Sequence, residues 1–135
     1  MKLTNSQEEY LKTIYLLEKN KQKVRVTDIA KKMNITKPSV NKALKVLKEL
    51  HLINYEVYGD INLTKEGQEQ AKEIIKKQDI LETFLIGILE IEKEQAQEEA
   101  KAIKYAMSKE SIDKLDIYIT KILDLGEVGG QAVLG

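Results

Sequence analysis

The chain has 135 residues, of which 42% are hydrophobic and 33% are charged, and it contains no cysteine. This length fits one domain or a small head fused to a helical second half, and the absence of cysteine excludes a disulfide framework and thiolate chemistry. The longest apolar stretch, residues 84–89, is too short to cross a bilayer, and the N-terminus turns polar at once. We therefore expect a cytoplasmic protein with no signal peptide, no membrane partner and long amphipathic helices.

The formal net charge is zero, but the charge is divided unevenly along the chain. Residues 1–63 hold eleven lysines and one arginine against seven acids, a net charge of +5, so the remainder carries −5. Residues 19–48 hold ten basic side chains and a single acid, Asp28. Such a local excess is typical of a surface that binds a polyanion, and a solvated lysine-rich surface would show it as well.

Two helices are predicted in the first third of the chain. Ser6 and Glu9 have the spacing of a capping box, and apolar residues then recur at helical spacing to about Asn20. A basic connector follows. Thr27 is a candidate cap for a short helix over residues 28–33, and residues 34–36 are too few for anything but a turn.

A third helix is predicted to start at Thr36, with Pro38 in its first turn, where a missing amide hydrogen costs nothing. Its inner face is an apolar stripe over residues 40–50. Two helices joined by a short turn, the second with a basic outer face, are typical of a helix-turn-helix. The outer face consists of Lys37, Ser39, Asn41, Lys42, Lys45 and Lys48.

A hairpin is predicted directly after this basic helix. Apolar and polar residues alternate over 53–58 and again over 61–63, and Gly59 and Asp60 turn the chain between them. Helix, turn, basic helix and hairpin form the order of a winged helix-turn-helix. A plain scaffold or dimerisation protein would leave this hairpin unexplained.

The second half is predicted to be helical. A long helix runs from Thr64 to about residue 89, and Gly67 in its first turn lowers the helix stability slightly. Another helix covers about residues 93–107, and Ser108 caps the last one. The apolar residues near residue 84 occupy more than one face, so a second copy of the chain is expected to cover part of them. The expected dimer contacts are Phe84, Leu85 and Ile88.

The predicted fold class is thus mainly α with a small β-hairpin. It combines a winged helix-turn-helix DNA-binding head over residues 1–64 with a helical dimerisation domain over residues 65–125. Residues 126–135, which hold four of the seven glycines, are read as a C-terminal tail.

Four strings carry a resemblance to a known family: SQEEYLKTIYLL, VRVTDIAKKMNITKPSVNKALKVLKELHLINYEVYGDINLTKEGQEQA, ILETFL and AMSKESIDKL. Over residues 3–125 the chain resembles the metal-dependent repressors of the diphtheria toxin repressor and manganese transport regulator family, in a short form without the SH3-like domain. The resemblance implies a sequence-specific transcriptional regulator, of the repressor type, that binds double-stranded DNA as a homodimer.

The resemblance also implies which residues contact DNA. The family's base-proximal positions fall on Thr36, Pro38, Ser39 and Lys42, whose side chains can contact a thymine methyl group, donate or accept a hydrogen bond, or bind guanine. At the wing tip the family usually offers a basic residue, whereas this chain has Tyr58 before Gly59. The expected remaining contacts are Arg25, Lys37, Asn41, Lys45 and Tyr58, the lysines and the arginine being suited to phosphates.

The family gates DNA binding with a divalent metal ion, and here most of the matching positions have changed. Only Glu9 and Glu82 remain good ligands, because charged lysine has no lone pair and glutamine and tyrosine are poor substitutes for histidine. We therefore expect degenerate metal gating, with no cofactor and no bound metal. The positions that match the metal sites are Glu9, Lys12, Gln78, Glu82, Gln97, Lys101, Lys104 and Tyr105.

Three interpretations of these changes stay open. Lys101 and Lys104 share a helix face and could replace the charge of the ion, or they could belong to an ordinary solvated face. The third possibility is a metal-responsive repressor with a rearranged manganese or iron site that uses Glu9, Asp79 or Glu98.

Other classes of function are also considered. An enzyme is not expected, because there is no glycine-rich phosphate loop and the one histidine, His51, has no catalytic partners. A winged-helix regulator of another family, sensing a small organic ligand in its helical half, remains the alternative.

Overall fold

The structure is a computed structural model that describes residues 2–20, 23–56 and 59–124. Within these ranges six α-helices, one π-helical segment and one antiparallel hairpin confirm the predicted fold class. None of the helices in the described ranges is long and apolar enough to span a membrane. The predicted contact at Tyr58 and the predicted tail over residues 126–135 lie outside the described residues. The elements are α1 (Asn5–Asn20), α2 (Val26–Met33), α3 (Lys37–Glu49), β1 (Ile53–Tyr55), β2 (Ile61–Leu63), α4 (Lys65–Glu82), the π-helix Thr83–Ile88, α5 (Lys93–Ala106) and α6 (Lys109–Asp124).

The first two helices begin earlier than the sequence predicts. Thr4 and Gln7 form the capping box of α1: the Thr4 amide donates to Gln7 Oε1 at 2.9 Å, and the Gln7 amide donates to Thr4 Oγ1 at 3.1 Å. The prediction that Ser6 caps α1 is therefore wrong, because the same spacing of residue types occurs two residues earlier.

Helix α2 has Arg25 as its N-cap residue, so the predicted cap at Thr27 is also wrong. The Arg25 backbone amide donates to Asp28 Oδ2 at 2.9 Å. A carboxylate at the third helical position thus satisfies a backbone donor at the helix start, and no hydroxyl side chain is needed there.

Helix α3 starts as predicted. The Ser39 amide donates to Thr36 Oγ1 at 3.3 Å, and Pro38 lies in the first turn. Val40, Leu44 and Leu47 are fully buried along one side, which leaves the basic side of the helix exposed. Burial of the apolar stripe therefore determines which face of α3 is available to a partner.

The hairpin pairs Ile53 with Leu63 and Tyr55 with Ile61, and all four side chains are buried against the first core. Ile61 also pairs with Val24, and its amide donates to the Val24 carbonyl at 2.8 Å. The segment before α2 is thereby joined to the hairpin, or wing, by a backbone hydrogen bond between residues far apart in sequence.

Two compact units divide the chain, Met1–Ile74 and Ile75–Gly135, with the boundary inside α4. Ala71 and Ile74 belong to the core of the first unit, which explains why the first half of α4 goes with it.

In the same unit, the carboxylate of Glu18 contacts the wing: its Oε1 accepts the Leu63 amide at 3.4 Å. Burial raises the pKa of the Glu18 carboxyl, and this hydrogen bond lowers it.

The second unit has its own core, built from the end of α4, the π-helix, α5 and α6. The helix predicted to reach about residue 89 is present, but its last turns are π-helical rather than α-helical. Within this segment Leu85 is only 4% exposed, whereas Phe84 and Ile88 are partly buried. Ser108 caps α6 as predicted, since the Ser111 amide donates to Ser108 Oγ at 3.1 Å.

Gly67 is required by a close approach of two backbones. Thr64 caps α4 by accepting the Gly67 amide at 3.0 Å, and it also donates to the His51 carbonyl at 2.8 Å and, from its own amide, to the Leu52 carbonyl at 3.0 Å. These contacts bring Gly67 so close to Leu52 that a Cβ would lie 2.0 Å from the Leu52 carbonyl oxygen. The sequence predicts only a slight loss of helix stability from Gly67, whereas the structure requires a residue without a side chain at this position.

Gly67→Ala is expected to lower the free energy of unfolding by about 2 kcal/mol or more, because the backbone must shift to admit the methyl group. Helix propensity alone predicts the opposite, a gain of about 1 kcal/mol. Urea denaturation followed by circular dichroism measures the difference, and Gln68→Ala, at the exposed neighbouring position, is the matched control. A Gly67→Ala protein as stable as the parent would show that this close approach does not constrain the fold.

Candidate nucleic-acid interface

The start of α3 presents the side chains to which the family resemblance assigns base contacts. Thr36, Pro38, Ser39 and Lys42 are all exposed. Thr36 Oγ1 donates to Ser39 Oγ at 2.9 Å, so the Ser39 hydroxyl acts as the acceptor and keeps its own hydrogen for another partner. An exposed helix start with oriented hydroxyl groups suits a groove of double-stranded DNA.

A groove of about 580 Å³ lies between the start of α2, the outer face of α3 and the wing. The predicted phosphate contacts Arg25, Lys37 and Lys45 all line it, so the structure brings the residue before α2 together with two lysines of α3. Three cations around one concave surface make a site for the negative charge of a phosphate backbone. The lining residues are Arg25, Val26, Thr27, Lys37, Asn41, Lys45, Tyr55 and Gly59.

Asn41, the remaining predicted contact on α3, is held by a wing residue that the sequence reading missed. The Tyr55 hydroxyl donates to Asn41 Oδ1 at 2.5 Å, and Tyr55 is only 9% exposed. The two amide hydrogens of Asn41 are not used by this contact. The alternation over residues 53–58 predicts Tyr55 as an apolar strand residue, and its hydroxyl group is the signal in the sequence that points to a polar role.

Asp60 is the second residue of this surface that sequence reasoning did not assign. Its carboxylate lies 3.7 Å from Arg25 Nε and 4.0 Å from Lys23 Nζ. The two cationic side chains are 63% and 66% exposed, so each pair is a surface ion pair that contributes at most about 1 kcal/mol to stability. The predicted phosphate contact Arg25 therefore has an acidic neighbour within the protein itself.

The positions that match the family's metal sites lie in both units. In the second unit Lys104 is only 2% exposed, and its Nζ donates to Gln78 Oε1 at 3.4 Å. Gln78 in turn donates to Glu82 Oε2 at 2.8 Å. Lys101 and Tyr105, which are near Lys104 in the helix, are exposed, so these three residues do not share one environment.

The remaining positions, Glu9 and Lys12 on α1 and Gln97 on α5, are partly buried. Among the described residues no three His, Cys, Asp or Glu side chains come together in a group that could hold a metal ion. Of the eight positions matched to the family's metal sites, only Glu9 and Glu82 carry a carboxylate.

Two family models match the chain, and they meet near the start of α4. Residues 2–61 match "Iron dependent repressor, N-terminal DNA binding domain". Residues 64–123 match "Iron dependent repressor, metal binding and dimerisation domain". The alternative of a winged-helix regulator from another family is therefore wrong.

Individual relatives agree with these matches. An uncharacterised HTH-type transcriptional regulator of Methanocaldococcus jannaschii is 36% identical over 123 residues, which are 90% of this chain and 98% of the relative. The manganese regulator SloR is 30% identical with a TM-score of 0.76, and ScaR with bound Zn²⁺ is 27% identical with a TM-score of 0.74. The alignments cover 87% and 84% of this chain but only 55% and 53% of those two proteins, so the chain spans about half of their length.

These comparisons overturn the expectation that the protein has no metal cofactor. The matched second domain is a metal-binding domain by description, SloR is a manganese regulator, and ScaR has been solved with zinc. The expectation rested on the loss of good ligands at the family's metal positions, and the match of the whole second domain contradicts it.

Family membership rests on the whole sequence rather than on one motif. The two matched segments occupy most of the chain, in the order DNA-binding domain and then metal-binding and dimerisation domain. The chain belongs to the iron-dependent repressor family, whose members are DNA-binding transcription regulators and not enzymes.

Proposed function

We propose that this protein is a homodimeric, metal-responsive transcription repressor that acts in the cytoplasm and reads double-stranded DNA with α3. The observation that carries the proposal is the groove in which Arg25, Lys37 and Lys45 meet beside the exposed start of α3. This surface belongs to the segment that matches the family's DNA-binding domain. A basic groove beside an exposed helix start supplies both phosphate and base contacts.

The proposal divides these side chains into two groups. Lys37, Lys45 and Arg25 contact phosphates, which set the position of the protein on the duplex and carry no sequence information. Ser39 and Lys42 contact base edges, together with Thr36 and Pro38. The support for this division is position: the first group lines the groove, whereas the second group is exposed at the helix start or beside it.

Lys42→Ala is expected to weaken binding to a selected operator by about 1–3 kcal/mol per half-site and to change binding to random duplex much less. Lys45→Ala is expected to weaken both alike and to flatten the salt dependence, because one fewer phosphate is neutralised. Fluorescence anisotropy over a range of salt concentrations measures both effects on duplexes obtained by selection from a random library. Lys121→Ala, which removes an exposed lysine from α6, is the charge-matched control.

Equal losses for Lys42→Ala on selected and random duplexes would contradict the assignment of Lys42 to a base contact. No binding of the parent protein to any duplex would contradict the proposed function itself.

For the dimer, we propose that Phe84 and Ile88 of the π-helix contact the partner subunit, whereas Leu85 fills the core of its own subunit. The support is their unequal burial, since Leu85 is 4% exposed and the other two are only partly buried. Leu89, directly after the π-helix, is 51% exposed and extends the apolar surface. A large apolar surface next to a core is typical of an obligate interface.

Phe84→Asp is expected to convert the dimer into a monomer, because a charge in an apolar interface has no partner there. Leu85→Ala is the contrasting variant, expected to lower stability by about 2–5 kcal/mol without changing the oligomeric state of the folded protein. Sedimentation velocity gives the oligomeric state, and circular dichroism shows that each variant is folded. A folded Phe84→Asp protein that remains dimeric at micromolar concentration would contradict this interface.

For the metal response, we propose a rearranged set of ligands that includes the carboxylate of Glu82. Glu82 is partly buried and is held by the Gln78 amide group at 2.8 Å. Carboxylate oxygen suits manganese, and a neighbouring hydrogen bond of this kind orients a ligand. The wider support is the match of residues 64–123 to the family's metal-binding domain.

Mn(II) is expected to raise the affinity for the selected operator at least about tenfold over the affinity in chelator, which corresponds to about 1.4 kcal/mol. Glu82→Gln should reduce this gain, and Glu73→Gln, at an exposed position of the same helix, should leave it unchanged. Isothermal titration with Mn(II) measures metal binding separately from DNA binding. Equal operator affinity in chelator and in Mn(II) would contradict the metal response.

A further inference from the structure

We propose that Asp60 is an internal competitor of DNA: its carboxylate occupies the charges of Arg25 and Lys23 and thereby limits the affinity of the protein for the phosphate backbone. The inference rests on the proposed DNA-binding function and assigns to the wing a residue that weakens DNA contacts. It follows from the backbone geometry, the exposure of the charged groups and the position of the groove.

The backbone determines that Asp60 faces Arg25. Val24 and Ile61 pair in antiparallel fashion, their side chains are 1% and 0% exposed, and the Ile61 amide donates to the Val24 carbonyl at 2.8 Å. In an antiparallel pair the residues that flank the bridge lie opposite each other, which places Arg25 across from Asp60. The Arg25 amide is further held by Asp28 at the start of α2. The two opposite charges thus meet because two buried side chains hold their backbones together.

The exposure of the three groups leaves the cations accessible to a second anion. The side chains of Lys23 and Arg25 are 66% and 63% exposed, whereas that of Asp60 is only 33% exposed. The distances of 4.0 and 3.7 Å are longer than those of charge-assisted hydrogen bonds. A phosphate can therefore approach either cation from the solvent side without first displacing a short hydrogen bond.

The position of the pair connects it with the DNA surface. Arg25 lines the same groove as Lys37 and Lys45, and Gly59, the neighbour of Asp60, lines it as well. One negative charge thus stands at the rim of a basic groove. A phosphate bound by Arg25 experiences repulsion from this carboxylate, whatever the base sequence, so Asp60 reduces the sequence-independent part of the affinity.

The experiment compares the parent protein with Asp60→Asn on a random-sequence duplex, by fluorescence anisotropy across a range of salt concentrations. Asp60→Asn is expected to bind about three- to tenfold more tightly at low salt. Its salt dependence should be steeper by up to about 0.9 per subunit in the log–log slope, because one more phosphate charge is neutralised. Asp113→Asn is the matched control, since it also removes one acid from an exposed ion pair, that with Lys109 on α6.

A second variant tests whether Asp60 acts through its cationic partners. In a protein that carries Arg25→Gln and Lys23→Gln, Asp60→Asn should change the logarithm of the affinity by less than half as much as it does in the parent protein. A double-mutant cycle gives this result when the charges are coupled. Circular dichroism and thermal melting of each variant show whether the wing region still folds.

Weaker or unchanged binding of folded Asp60→Asn, or an equal gain with Asp113→Asn, would overturn the inference. Weaker binding would mean that Asp60 only positions Arg25 for DNA. If the parent protein binds no duplex, the proposed function fails instead, so the two failures are distinguishable.

Discussion

The first unit is held together around the short turn that follows α3. The carbonyl oxygens of His51 and Leu52 accept hydrogen bonds from the hydroxyl group and the amide of Thr64, and Gly67 lies against Leu52. His51 itself has a φ of 62°, which allows the chain to leave the helix at this point. Because the wing is enclosed between residues 52 and 64, these contacts close it at its base and set its position beside α3. The DNA surface depends on this closure, since the groove requires side chains from both elements.

The composition alone does not show how much positive charge the DNA surface has available. The first 63 residues carry a net charge of +5, and three of their cations line one groove: Arg25 directly before α2, and Lys37 and Lys45 on α3. The acid at the wing is placed by the pairing of Val24 with Ile61 rather than by proximity in the sequence. Long-range backbone pairing thus decides how much of the positive charge is available to a polyanion, which a count of lysines does not reveal.

The second unit combines its own apolar core with a chain of polar contacts that begins at the buried Lys104 and ends at the partly buried Glu82. Lys104, Gln78 and Glu82 follow one another by hydrogen bonds of 3.4 and 2.8 Å, so the ammonium group of a buried lysine has a polar partner. Gln78 and Lys104 are poor metal ligands, which led to the expectation of no cofactor, and the match of the whole domain contradicts that expectation. Because the ligands of a site can change while the fold persists, the poor ligands at the family's positions are compatible with a rearranged metal site in the matched domain.

The sequence by itself determined the order of the helices and the hairpin, the cap of α3 at Thr36 and the basic outer face of that helix, but not the π-helical turns at Thr83–Ile88. These features follow from local periodicity and from contacts between residues three or four positions apart, which a single sequence displays directly. Only the structure decided which caps are used: at α1 two pairs of residues have the same spacing, and at α2 the Asp28 carboxylate serves in place of a hydroxyl cap. It also decided the contacts of Tyr55 with Asn41, of Asp60 with Arg25 and of Gly67 with Leu52. Each of these joins residues fourteen or more positions apart, and their distances depend on how the hairpin and the helices pack, which no local pattern encodes.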